Sequence, residues 1–152
     1  MKSFFKKLLF FTLILLLYYL PGIIWMTDKK YYLSLNLPPY APSPLIFGLT
    51  WGVLYLIFAV FITYIVSNNK MNKEIKSSFI INYIISFFFN FVFFKMNNLF
   101  LTFAITILSC ASGILIFISL LKENRVYASV VTPYVLWTIF ASILMTNIYL
   151  IN

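Results

Sequence analysis

Five long apolar runs dominate this chain: Leu8–Met26, Leu45–Val66, Ser78–Phe94, Leu99–Leu121 and Val126–Ile151. Each approximates the roughly 20 residues that a helix needs to cross the hydrocarbon core of a bilayer. Polar separators at 27–44, 67–77, 95–98 and 122–125 divide them. Lipid offers the backbone no hydrogen-bond partner, so a crossing segment is either a helix or a strand of a closed barrel. A barrel requires apolar and polar residues to alternate over segments of about ten residues, and the run Leu8–Leu17 does not alternate. The expected fold is therefore an all-α membrane protein, a five-transmembrane-helix bundle forming one integral membrane domain over 1–152. A composition of 63% hydrophobic and 9% charged residues excludes a soluble core, a disordered tail and a nucleic-acid module, despite the net charge of +8.

Basic residues give the bundle a direction. Lys2, Lys6, Lys7, Lys70, Lys73, Lys76, Lys122 and Arg125 share one side, eight in all, against Lys29, Lys30 and Lys95 on the other. That bias places the N-terminus in the cytoplasm. Ten lysines to one arginine, with abundant Asn, Ile and Phe, suggest an AT-rich genome and a bacterial plasma membrane. Lys6-Lys7 before an apolar run also looks like a signal peptide, but no small-residue cleavage site follows Pro21-Gly22. The segment reads as a retained first helix, kinked or loosened at Pro21, where proline removes a hydrogen bond.

The inventory of reactive groups is short. There is no histidine; Asp28, Glu74 and Glu123 lie far apart; Cys110 is alone in an apolar run. Paired-carboxylate catalysis, a Ser-His-Asp triad, a cysteine metal cluster and histidine-ligated haem or zinc all lack their parts. Neither catalytic nor metal-binding residues are expected, and no resident cofactor.

The first separator is unusual. Its 18 residues hold Pro38, Pro39, Pro42 and Pro44, which make 37–44 a stiff, extended or turn-rich stretch. Tyr31, Tyr32 and Tyr40 bring rings to interfacial depth. The segment reads either as an aromatic belt with a stiff linker or as a proline-rich lid over a cavity mouth. Near it, Trp51 and Tyr55 share a face of the second span, and Asn82, Ser86 and Asn90 form a polar stripe on the third. Lipid offers amides no partner, so that stripe should face inward. With Tyr134, Trp137 and Ala141 of the fifth span, these residues describe either ordinary packing or a pocket with aromatic walls and a few fixed polar groups. Gly48-Leu49-Thr50-Trp51-Gly52 and the small stripe Thr102, Thr106, Ser109 and Gly113 suit close helix contact, within the chain or in a homodimer.

These segments together resemble the translocator protein family, the tryptophan-rich sensory or peripheral-type benzodiazepine receptor proteins. Pro38-Pro39-Tyr40-Ala41-Pro42-Ser43 with Phe47-Gly48-Leu49-Thr50-Trp51-Gly52-Val53-Leu54-Tyr55 is similar to the family's P-x-W-T-P-P lid and F-G-x-x-W-x-x-L-Y helix start. Asn98-Leu99-Phe100 opens the fourth helix, and Pro133-Tyr134-Val135-Leu136-Trp137, Phe140-Ala141 and the terminal Asn152 match the fifth. The resemblance implies a five-helix bundle, often a homodimer, that takes porphyrins such as protoporphyrin IX, sterols or synthetic isoquinoline carboxamides into a pocket beneath the first loop. It also implies ligand-binding roles for Tyr32, Pro42, Trp51, Tyr55 and Trp137. The chain departs from the family where Tyr40 replaces the lid tryptophan, Ser86 an asparagine, Phe89 a tryptophan, Ile105 an aspartate and Met145 an asparagine. Ser86 and Phe89 therefore join the expected site, with Asn90 or Asn82 as a substitute amide.

The expected role is a membrane receptor or sensor for porphyrins or similar hydrophobic molecules, with assistance to their transport as an extension of it. Two alternatives stay open: light-dependent degradation of the porphyrin, and a structural or partner-binding protein whose pocket is filled by side chains. Autonomous transport has the least behind it, because neither an intramembrane charge nor an inverted repeat is visible.

Overall fold

The computed structural model describes residues 2–25 and 29–152, together with all their side chains except those of Lys2 and Lys29. Met26 at the end of the first expected span, Asp28 in the loop and the Lys29 side chain thus lie outside the described residues. The elements are α1 (Lys2–Ile24), α2 (Lys29–Ser34), α3 (Pro44–Ser67), α4 (Lys73–Phe94), α5 (Leu99–Glu123) and α6 (Arg125–Ile151). Five of these six helices, all but α2, are long and apolar enough to span a membrane. The protein is an integral membrane protein, as its sequence requires.

Local chemistry explains where the helices begin. Ser43 caps α3, its hydroxyl accepting from the Ile46 amide at 3.4 Å, and Pro44 follows in the first turn, where its missing N–H costs nothing. Asn72 caps α4 by accepting from Ile75 N at 2.8 Å and donates to Glu123 Oε1 at 2.6 Å. That cap starts α4 five residues before the apolar run does, so its first turn carries Lys73 and Glu74 outside the hydrocarbon. Asn124 both ends α5 and caps α6, a one-residue connection that forces the two helices to run antiparallel side by side.

Helix α1 continues through Pro21 to Ile24 rather than stopping there. Proline has no N–H for the carbonyl of Leu17, four residues earlier. The Tyr83 hydroxyl of α4 donates to that carbonyl at 3.2 Å, so the gap in the helix becomes a link between helices.

The spanning helices form a closed ring in the order α1, α3, α6, α5, α4 and back to α1. Association is most extensive along α5 against α6 and α4. Both small-residue patterns are engaged within the chain. A Cβ at Gly113 would come within 2.9 Å of the Tyr134 ring, and one at Gly52 within 3.1 Å of the Tyr19 hydroxyl, which donates to the Gly52 carbonyl at 3.0 Å. The end of the ring that holds the α1 N-terminus is solid, built on Phe58, Ile65, Ile75, Ile116, Leu120 and Val131.

The first loop is not wholly irregular, since its first half is the short helix α2. Prolines begin only at Pro38, which leaves Lys29–Ser34 free to coil, and the extended stretch is confined to 35–43.

Candidate functional site

At the end occupied by α2 the ring is hollow. A cavity of about 300 Å³ is bounded by the C-terminal halves of α1, α4 and α6, the N-terminal halves of α3 and α5, and Tyr32 of α2. Trp51 and Tyr55 form the α3 wall, their rings 5.6 Å apart. Opposite stands α4 with Ser86, Phe89, Asn90 and Phe93, where Phe89 stacks on Phe93 at 5.8 Å. Phe47 and Gly48 lie near the lid; a Cβ added at Gly48 would meet nothing within 4 Å. The inner end carries Thr106 and Ser109 of α5 and Thr138 of α6. None of the described lining residues bears a charge.

Six expected residues therefore surround one space: Tyr32, Trp51, Tyr55, Ser86, Phe89 and Asn90. Two stand back from it. Pro42 contributes its carbonyl, which accepts from the Tyr32 hydroxyl at 2.9 Å and so orients a lining ring. Trp137 packs behind the wall, 6.5 Å from Trp51, 5.7 Å from Phe47 and 5.2 Å from Phe140, with its indole N–H buried and unpartnered. On α6 the lining residues include Thr138, Ala141 and Met145, and each step along a helix turns about 100°. Trp137 lies within the arc of α6 that carries Ala141 and Leu144, yet its ring is taken up against Phe47 and Trp51 of α3 and against Phe140, and it does not line the cavity.

The two candidate amides separate cleanly. Asn82 is 0% exposed, and its Nδ2 donates to Ser112 Oγ and to the Tyr134 hydroxyl oxygen, both at 2.8 Å. It is a structural bolt joining α4, α5 and α6 beneath the cavity and does not line the cavity itself. Ser86 touches the same group, 3.4 Å from the Tyr134 hydroxyl. Asn90, two turns along α4, faces the space.

Thr106, Ser109 and Thr138 were absent from the sequence-based expectation. The sequence marks Thr106 and Ser109 only as part of a stripe suited to helix contact. Their added role follows from the ring opening just where α5 leaves the solid half. Thr106 and Thr138 donate to carbonyls of their own helices, those of Thr102 at 2.6 Å and Val135 at 2.9 Å. Ser109 is 6% exposed, and its hydroxyl has no partner.

Helix α2 and residues 35–43 are fastened across this end of the ring, and of them Tyr32 lines the cavity. The Asn152 side chain grips Asn36 on both backbone groups, accepting from its N–H at 2.9 Å and donating to its carbonyl at 3.0 Å. Tyr40 bonds through its hydroxyl to the Asn147 side chain, and its ring rests on Phe140 at 6.3 Å. The Tyr31 hydroxyl donates to the Asn97 carbonyl at 3.0 Å in the turn between α4 and α5. Burial pushes the Tyr31 and Tyr32 phenols above their ordinary range, which keeps them neutral donors. Among the described residues no group of His, Cys, Asp and Glu could hold a metal ion.

Comparison with known proteins agrees with this architecture. The chain is 30% identical over 137 residues to the tryptophan-rich protein TspO of Bacillus cereus, covering 90% of each chain. It is 27% identical to the uncharacterized membrane protein YtaB of Bacillus subtilis over 154 residues, 100% of this chain and 99% of that one. The tryptophan-rich protein TspO of Archaeoglobus fulgidus is 25% identical over 126 residues, covering 82% of this chain and 81% of its own. A five-helix ring with a lidded aromatic cavity, carried on a sequence that matches the family model across residues 10–150, belongs to the TspO/MBR family.

Proposed function

We propose that this protein is a membrane receptor or sensor that takes a flat hydrophobic molecule of the porphyrin kind, such as protoporphyrin IX, between Trp51 and the α4 wall. Family membership supports the broader role, a membrane sensor or receptor of the TspO kind. The lidded cavity is the observation that carries the binding site: an aromatic-walled space left open in a bundle with 18 phenylalanines available to fill it. At about 300 Å³ it sits at the lower end of the range for small-molecule sites, roughly 300–1,000 Å³. A macrocycle is thus received with the lid raised, its face on the rings and its propionates at the wet mouth. Transport remains an extension of binding, and a homodimer would have to use faces other than the two small-residue stripes.

The test is a titration of protoporphyrin IX into purified protein in detergent, followed by tryptophan quenching. Trp51→Ala should weaken binding about tenfold or more, because it removes a wall. Trp137→Ala, one layer behind, should cost several-fold less. Equal affinity in the parent and Trp51→Ala would remove this assignment.

A second reading, light-dependent porphyrin degradation, draws on the same geometry, since Trp51 borders the cavity with Trp137 in ring contact behind it. Illumination in air should then open the macrocycle faster with the protein than in detergent alone. Bleaching at the same rate in both rejects it.

A further inference from the structure

We propose that the solid end of the ring carries a seat for one anionic phospholipid. Lys6, Lys7, Ser3 and Ser67 hold its phosphodiester where α1 meets α3, and its acyl chains lie along the outside of that seam. The seat is independent of the cavity and of what the cavity takes.

At the end opposite the lid, the first turns of α1 and the last residue of α3 part to leave an open cleft of about 400 Å³, lined by Ser3, Lys6, Lys7 and Ser67. Residues three, four and seven apart share a helix face. Ser3 and Lys7 are in line with Phe10 and Ile14, which pack against the core, and Lys6 stands at the edge of that face. The two ammoniums are therefore gathered at the seam with α3 rather than spread around the end of α1.

The protein offers these two charges no partner. Of the described acids, Glu74 pairs with Lys122 and Glu123 accepts from Asn72. Neither Lys6 nor Lys7 makes an ion pair or a hydrogen bond among the described residues. The carbonyls that end α3 are already engaged: Tyr64 accepts from Asn68 N at 3.1 Å and Nδ2 at 2.8 Å, Ile65 from Lys70 N at 2.8 Å, and Val66 from Asn69 N at 3.1 Å. The Ser67 hydroxyl has no partner among the described residues either, whereas that of Thr63, one turn earlier, donates to the Ala59 carbonyl at 2.7 Å. Like charges converging on one cleft repel, and an anion between them relieves the repulsion. A phosphodiester suits the arrangement, with oxygens for two ammoniums and two hydroxyls.

The surroundings make a lipid the carrier of that anion. The cleft lies at the ends of two spanning helices, the depth of a headgroup. In line with Lys6 along α1 stand Leu13 and Leu17, and in line with Ser67 along α3 stand Val60 and Leu56, all four 43–55% exposed. They give acyl chains an apolar track from the charges into the hydrocarbon. Basic residues at a membrane surface attract anionic headgroups in general. Here two unpaired ammoniums, two hydroxyls and two apolar tracks converge on one point, which defines a seat for a single molecule.

The test counts lipids bound to the purified chain in detergent by native mass spectrometry, with phosphatidylglycerol and phosphatidylcholine of the same acyl chains. One phosphatidylglycerol per chain should bind about tenfold or more tightly than phosphatidylcholine. Lys6→Gln with Lys7→Gln should abolish that preference. Ser67→Phe narrows the cleft and keeps every charge, and it should weaken phosphatidylglycerol about as much. Lys73→Gln with Lys76→Gln takes the same charge from the same end of the ring and should leave Kd within about twofold. Glycerophosphoglycerol, the headgroup without acyl chains, should not displace the lipid at equal concentration. Parent melting temperatures show that the variants have folded. Equal losses from the two lysine pairs, or undiminished affinity in Ser67→Phe, would reveal diffuse attraction and overturn the seat. Equal Kd for the two lipids would overturn recognition of the anion, and displacement by glycerophosphoglycerol would overturn the lipid as its carrier.

Discussion

Tyr134 shows how a single side chain ties the scaffold to the cavity. Its hydroxyl sits in the bond group of Asn82, Ser112 and Ser86, and its ring packs 4.5 Å from Phe58 and 6.0 Å from Trp51. This arrangement exists because Gly113 leaves room for the ring. Gly113→Ala would place a methyl group 2.9 Å from Tyr134 Cε1. The ring is fixed at its hydroxyl end and against Phe58, so it cannot swing away cheaply. We expect a loss of about 1–3 kcal/mol, the usual cost of overpacking, read as a lower melting temperature in detergent. Because the displaced ring touches Trp51, tryptophan emission should shift as well. Gly48→Ala is the contrasting control, since its methyl group would enter open cavity, and it should melt like the parent.

At the scale of elements, Tyr31, Tyr32, Asn36 and Tyr40 are tied to their neighbours by bonds between neutral groups, and two expectations follow from these bonds. Asn152→Ala removes both bonds to the Asn36 backbone. The amide of Asn36 should then exchange with deuterium about tenfold faster, measured on lid peptides by mass spectrometry. Burial raises the Tyr31 and Tyr32 phenols, so their contribution to closure is complete below the ordinary phenol value of about 10 and is lost only as pH rises through the raised one. Ligand affinity should accordingly be flat between about pH 5 and pH 9, and a titration with a midpoint inside that window would show that a charged group governs the lid. The proline run and the spacing of Trp51 and Tyr55 made much of this segment and the wall beneath it legible in the sequence. Helix α2 was not legible, because a six-residue helix in a polar loop has too little apolar periodicity to stand out. Trp137 and Asn82 carried the right residue types for a pocket. What decided their places was the ring contact of Trp137 with Phe47, Trp51 and Phe140 and the reach of Ser112 and Tyr134 to Asn82, neither of which is written in spacing along one helix. Ser109 is buried, as a small residue suited to helix contact should be, and its place beside the cavity adds to that reading.

Across the whole molecule, one end of the ring is solid and the other hollow, and the two ends should answer differently to the same substitution. Phe58 is fully buried in the solid end, so Phe58→Ala should cost about 3–5 kcal/mol through a new void. Phe89 already borders empty space, so Phe89→Ala should cost less than half as much while still weakening ligand binding. The hollow end also carries little charge. Lys6, Lys7, Lys70, Lys73, Lys76, Lys122 and Arg125 gather at the solid end, where Glu74 pairs with Lys122. Lys30 and Lys95 lie at the lid end. Five crossings put the two ends of the described chain on opposite faces of the membrane, and from the excess of basic residues we propose that the solid end is the cytoplasmic one. The lid and its cavity would then open to the outside, which suits a sensor of molecules arriving there. Single cysteines at Ser3 and at Tyr40, in a Cys110→Ser background, decide the matter with a membrane-impermeant maleimide on intact cells. We expect Tyr40→Cys to label at once and Ser3→Cys only after the membrane is opened. The reverse pattern would turn the receptor to face the cell interior, and its ligand would have to be sought there.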